Sequence, residues 1–88
     1  MEDNPRLRRL QFRAWHRGTK ENDLMVGGFF DRYHKEWNEE EIVWFEMLLE
    51  EEDVEIMAWC LETAPVPERL HGPMLDKFLK LDFIPKAG

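Results

Sequence analysis

Every apolar stretch in this chain repeats at the period of an α-helix, and none alternates at the period that a half-buried strand requires. Leu7, Leu10 and Ala14 share one stripe of a segment running from Arg6 to His16, with Phe12 and Trp15 beside it. Val26, Phe29, Phe30 and Tyr33 do the same between Lys20 and Lys35. Ile42, Phe45, Leu48 and Leu49 mark a third segment, and Val43, Trp44 and Met47 make it apolar around much of its girth, as a central helix would be. Ile56, Met57, Trp59, Cys60 and Leu61 mark a fourth, and Leu70, Met74, Leu75, Phe78 and Leu79 a fifth. The pattern predicts an all-α fold, a compact five-helix bundle.

The breaks between these segments carry their own chemistry. Pro5 suits a first helical turn, where a missing N–H costs little, and Gly18 can take a left-handed backbone after the first helix. Asn38 followed by Glu41 is the pattern of a capping box. Asp53 is placed to cap the fourth helix, and Ala64-Pro65-Val66-Pro67 ends it, because residues before proline avoid helical angles. Pro67 can begin the fifth helix, with Gly72-Pro73 delaying its regular start. Gly27-Gly28, in the middle of the second helix, predicts a kink, a break or the close approach of another backbone, tight packing being the simplest reason for it. With 88 residues and no linker, the chain is read as a single domain over 1–88, its core at about 6–82 and Pro85-Lys86-Ala87-Gly88 a loose tail. A chain this short needs a dense core, which four Trp and six Phe can supply.

Charge is unevenly spread. Between Arg6 and Lys20 lie Arg6, Arg8, Arg9, Arg13, Arg17 and Lys20 without an acid, while Glu36 to Glu68 holds acids only, within a net charge of −7. Two solvated helix surfaces would explain this, and so would a partner that needs one positive face. Nucleic acid is disfavoured, since the overall acidity opposes phosphate. No apolar run is long enough for a membrane span. Met1-Glu2-Asp3-Asn4-Pro5 lacks the apolar core of a secretory signal and is too acidic for a transit peptide. Together with a lone cysteine, this gives a cytoplasmic, bacterial-type protein as the expectation, or a processed protein of the mitochondrial matrix.

Groups suited to catalysis are sparse. His16, His34 and His71 lack metal-ligand spacing, Cys60 sits between Trp59 and Leu61 as a buried thiol would, and the acidic runs lack the alternation of a calcium loop. No metal and no catalytic residue is assigned. Arg17-Gly18-Thr19-Lys20-Glu21 stands apart as a corner between two helices. Gly18 leaves no side chain to obstruct a partner, Arg17 offers a planar fork of donors, and Glu21 is favourable near a helix N-terminus. As an internal corner, Arg17 would pair with Glu21; as a binding site, both would face outward.

That corner resembles the Arg-Gly-x-x-Glu signature of the SdhE family, known in mitochondria as succinate dehydrogenase assembly factor 2. Its setting is similar too: a short basic helix precedes it and Phe29-Phe30 follow. Leu48-Leu49-Glu50-Glu51-Glu52-Asp53 with Trp59 beyond looks like the family's Leu-Leu-Glu-x-x-Asp segment and its tryptophan. The similarity covers about residues 6 to 80. Val54 and Gly27-Gly28 stand where relatives often carry proline. The resemblance implies a small five-helix assembly factor, chaperone-like and not an enzyme. It would bind the flavoprotein subunit of succinate dehydrogenase, and in some bacteria that of fumarate reductase, and promote covalent attachment of FAD to a histidine there. It also implies contact through Arg17, Gly18 and Glu21, with Arg9, Arg13, Lys20 and Asp23 added because they flank the motif. On this view the chain holds no tightly bound cofactor, the FAD is carried by the partner, and the free chain is monomeric. Replacing Gly18 with arginine is expected to block docking with the fold largely intact. A direct FAD-binding carrier and a generic helical adaptor are the alternatives.

Overall fold

The computed structural model describes residues 4–84. Helix α1 spans Pro5–Ala14, α2 Lys20–Tyr33, α3 Glu39–Leu49, α4 Asp53–Cys60 and α5 Pro73–Leu79. Short 3-10 turns at His34–Glu36 and Glu68–Leu70 complete the helical content, and no strand occurs among the described residues. The chain is thus all-α. The expected tail at 85–88 lies outside the described residues.

Local signals set most of the boundaries. Asn4 caps α1, its side chain accepting from the N–H groups of Arg6 and Leu7, with Pro5 in the first turn. Asn38 and Glu41 form the reciprocal capping box at α3. Two starts differ from expectation. Helix α4 begins at Asp53 after Glu52, and no side chain caps it, because the Asp53 carboxylate is engaged elsewhere. Pro67 opens only the 3-10 turn, and α5 starts after Gly72.

Phe29 is the centre of the core. The rings of Tyr33, Trp37, Trp44, Phe45, Phe78 and Phe83 surround it at centroid separations of 5.2 to 6.2 Å. Such tilted and edge-on pairs add to the burial of apolar area. The Trp44 indole N–H, drawn into this core, donates to the Leu70 carbonyl at 2.8 Å and ties α3 to the second 3-10 turn. Gly27-Gly28 is a place of tight packing, the simplest of the expected reasons; what comes close is aromatic side chains, with neither a kink nor a break. The Trp15 ring lies against Gly27 and Phe83 against Gly28, while α2 continues through both as a helix.

Helix α4 ends in a Schellman motif. The Thr63 N–H donates to the Ala58 carbonyl at 2.9 Å and the Glu62 N–H to that of Trp59 at 3.1 Å. Glu62 occupies the left-handed position with φ 61°, where glycine is the usual residue. Glu62→Gly is therefore expected to stabilise the protein by about 0.5–1 kcal/mol, the relief of left-handed strain outweighing the added entropy of the unfolded chain. A lower urea midpoint for this variant would contradict it.

Candidate functional site: the corner between α1 and α2

The basic first helix meets the acidic half of the same chain. Arg6 grips Glu46 with two donors at 2.9 and 2.8 Å and reaches Glu39 at 2.9 Å. The Glu46 carboxyl is held below its ordinary value chiefly by that hydrogen bond from Arg6. Arg13 pairs with Glu50 at 2.8 Å. These pairs are partly solvated and individually weak, but they lay α1 along α3 and absorb much of the polarity of the sequence.

Arg17 makes the most enclosed of these connections. Its Nε donates to Asp53 Oδ1 at 2.8 Å, Nη1 to the Leu49 carbonyl at 2.8 Å and Nη2 to the Glu51 carbonyl. Its side chain is 9% exposed. Leu49 closes α3, so the guanidinium sits at the carbonyl end of that helix, where a cation is favoured. From the other side, the Asn22 amide donates to the Asp53 carbonyl at 3.0 Å. The corner itself is folded by two side chains. Thr19 Oγ1 accepts from the Asn22 N–H at 3.2 Å, and Asp23 Oδ1 accepts from the Arg17 N–H at 2.7 Å. Gly18 turns the chain at φ 125°, and a Cβ there would lie 3.2 Å from Asp53 Oδ2.

The candidate residues therefore divide. Gly18, Lys20 and Glu21 are exposed at the corner, and Arg9 is exposed on α1. Arg13 is spent on Glu50, Asp23 on the Arg17 backbone, and Arg17 on the α3–α4 connection. Arg17 does not pair with Glu21, and its fork does not face outward; it holds the corner in place from beneath. Gly18→Arg differs from expectation as well, because its positive φ and the neighbouring carboxylate make any side chain there a strain on the fold. Asn22 and Asp53 are the members of the site that sequence reasoning missed. Asp53 ends the Leu-Leu-Glu-x-x-Asp segment, but its position ahead of an apolar helix points to a cap, and only the fold shows it turned to Arg17.

A shallow cleft adjoins Glu21, lined by Leu24, Met25, Met57 and Ile84. It brings α4 to the same side of the molecule as the corner. Elsewhere the reactive groups are occupied or inert. Ring nitrogens of His16, His34 and His71 donate to the carbonyls of Phe12, Phe30 and Val66. No group of metal-ligating side chains forms among the described residues, nor is any of their helices long and apolar enough to cross a membrane. Burial pushes the Cys60 thiol up to about 11. Its alkylation by iodoacetamide is expected to be slow at pH 8 and to rise only as pH approaches 11; rapid labelling at pH 8 would show an open thiolate.

Comparison with known proteins finds relatives over most of the chain, in a range that includes both segments of the corner. A family model described as Sdh5, flavinator of succinate dehydrogenase, matches residues 8–82. The FAD assembly factor SdhE of Acetobacter pasteurianus is 39% identical over 89 residues, covering 99% of this chain and 82% of that protein. The mitochondrial succinate dehydrogenase assembly factor 2 of Saccharomyces cerevisiae is 36% identical over 75 residues, covering 82% of this chain. The corresponding protein of Dictyostelium discoideum is 31% identical over 68 residues. The matches span 46% and 48% of these two mitochondrial relatives. No solved structure matches the chain.

Proposed function

The chain belongs to the Sdh5 family, the flavinators of succinate dehydrogenase, and from that membership we propose that it is an assembly factor that docks on the flavoprotein subunit and promotes covalent attachment of FAD. In this reading it is a helper, and the chemistry belongs to the flavoprotein. The observation that carries the docking reading is the corner: Gly18, Lys20 and Glu21 project from a turn fixed underneath by Arg17 on Asp53 and two carbonyls. A surface already rigid before contact loses little freedom on binding.

Attachment of a flavin to a histidine requires the two to be held in reactive geometry, and positioning of that kind can lower a barrier by several kcal/mol. The assembly factor would favour the flavoprotein conformation in which they meet. The FAD is read as the partner's own. The cleft beside the corner carries the Glu21 carboxylate and no cation, a lining that opposes a pyrophosphate. Glu21 is free to meet a cationic group of the partner, and Gly18 allows the two backbones to come close. The flavoprotein of fumarate reductase is a second substrate of the same kind.

Glu21→Lys tests this without removing the clamp, because the Glu21 side chain is exposed and, among the described residues, Arg17 pairs with Asp53 and not with Glu21. The variant trades a favourable charge in the first turn of α2 for an unfavourable one, so it is expected to lose about 1 kcal/mol and to melt roughly 4–8 °C below the parent while remaining folded. Its affinity for the apo-flavoprotein should fall at least about tenfold, equivalent to 1.4 kcal/mol. Covalent flavin, read by fluorescence of the denatured flavoprotein, should fall with it. Binding and flavin attachment equal to the parent's would overturn the docking reading.

A further inference from the structure

Helix α4 has an apolar face that the bundle covers only in part, Met57 packing against the core while Val54 and Leu61 stay outside it. Ile56 and Trp59 are fully buried against the core. On the other side of the helix, Val54 and Leu61 are 68% and 64% exposed, and half-buried Met57 and Ala58 lie between them. The spacing 54, 57, 58, 61 is one continuous helical stripe. A solvated face of so short a helix would ordinarily be polar. This one is apolar along its middle and acidic along one rim, where Glu55 and Glu62 are exposed, with Glu52 exposed just ahead of the helix.

The stripe is continuous with the corner. Asp53, the residue before Val54, takes the Arg17 guanidinium, its carbonyl accepts from Asn22, and its carboxylate lies under Gly18. Met57, from the middle of the stripe, lines the same cleft as Glu21 and Leu24. The corner and the exposed side of α4 are thus one surface, with an apolar centre and carboxylates from both helices around it.

We propose that the Val54–Met57–Leu61 stripe is the apolar half of the docking surface for the succinate dehydrogenase flavoprotein. This inference rests on the docking reading of the corner. The flavoprotein would present an apolar patch bordered by arginine or lysine, which meets the stripe in its middle and Glu21, Glu52, Glu55 and Glu62 at its edge. Interfaces concentrate their affinity in such desolvated centres, while charged rims steer the encounter. The corner then sets orientation, and α4 supplies most of the hold.

The test uses the full chain with Val54→Asp and Leu61→Lys combined. An acid in the first turn and a base at the end both suit a helix, so the fold is retained; the melting temperature checks it. Titration onto the apo-flavoprotein is expected to show affinity reduced at least about tenfold, with the loss persisting in high salt. Glu21→Lys is measured in parallel. If it weakens binding while the α4 variant binds like the parent, the stripe is not part of the interface and this inference fails alone. If both bind like the parent, the corner reading fails and takes the inference with it. Sedimentation of the free chain provides a second arm. Concentration-dependent dimers that the α4 substitutions abolish would assign the stripe to a second copy of this chain and overturn the proposal.

Discussion

Arg17→Ala is expected to lower the unfolding free energy by about 3 kcal/mol, a large part of the 5–15 kcal/mol that a small domain possesses. The substitution removes the donors for Asp53, Leu49 and Glu51 together. Removing one partner of an enclosed ion pair leaves the other charge uncompensated, and each stranded carbonyl adds its own desolvation cost. Asp53 retains 26% of its side-chain exposure, so water recovers part of the loss and the lower end of the usual range applies. For a domain of this size the melting temperature should drop by roughly 12–24 °C. Lysine should recover little, because a single ammonium cannot reproduce three bonds made by a planar fork. A loss below 1 kcal/mol in urea unfolding would show that the clamp does not hold the corner. On the docking proposal, Arg17 variants are expected to bind the flavoprotein poorly as well, through a disordered corner and not a lost contact, which makes Glu21 the cleaner probe.

Gly27→Ala should cost about 2 kcal/mol even though alanine is the better helix former. The helical gain is about 1 kcal/mol. Against it, a Cβ at Gly27 would meet three Trp15 ring atoms, with Cγ, the atom nearest the backbone, only 2.8 Å away. That ring is pinned where α1 ends and cannot move without separating α1 from α2, so overpacking outweighs propensity. Gly28→Ala is the matched comparison. Its Cβ would lie 3.2 Å from a carbon of the Phe83 ring, near the end of the described chain, where a few tenths of an ångström can be yielded. It should be neutral or slightly stabilising. Equal melting temperatures for the two variants would refute the asymmetry.

What could be read in advance was local. The capping box at Asn38 and Glu41 involves residues three apart, and both halves form. The helical stripes of Val26, Phe29 and Phe30, and of Phe45, Leu48 and Leu49, are buried as their spacing predicts. Contacts between distant residues were not legible. Gly27-Gly28 announced that something comes close, yet nothing in the sequence pointed to Trp15 and Phe83. Arg17 offered two local readings, a pair with Glu21 or an outward fork, and the fold chose Asp53, thirty-six positions away. Asp53 in turn looked like a helix cap. A cap contributes about 1 kcal/mol, whereas a charge-assisted bond to a nearly buried guanidinium contributes about 1.5–3, so the carboxylate turns to Arg17. Pro67 was a sound start signal, but a 3-10 turn used it first and α5 waited for Pro73.

The Trp44 indole gripping the Leu70 carbonyl has a practical use. That bond holds the 3-10 turn within the connection between α4 and α5 to α3, and its indole sits in the aromatic nest around Phe29. Release of Leu70 is expected to wet this indole and redden its share of an emission to which Trp15, Trp37 and Trp59 also contribute. The molecule therefore carries an optical gauge of whether its last third is seated, followed without a dye once the emission of a Trp44→Phe variant is subtracted from that of the parent.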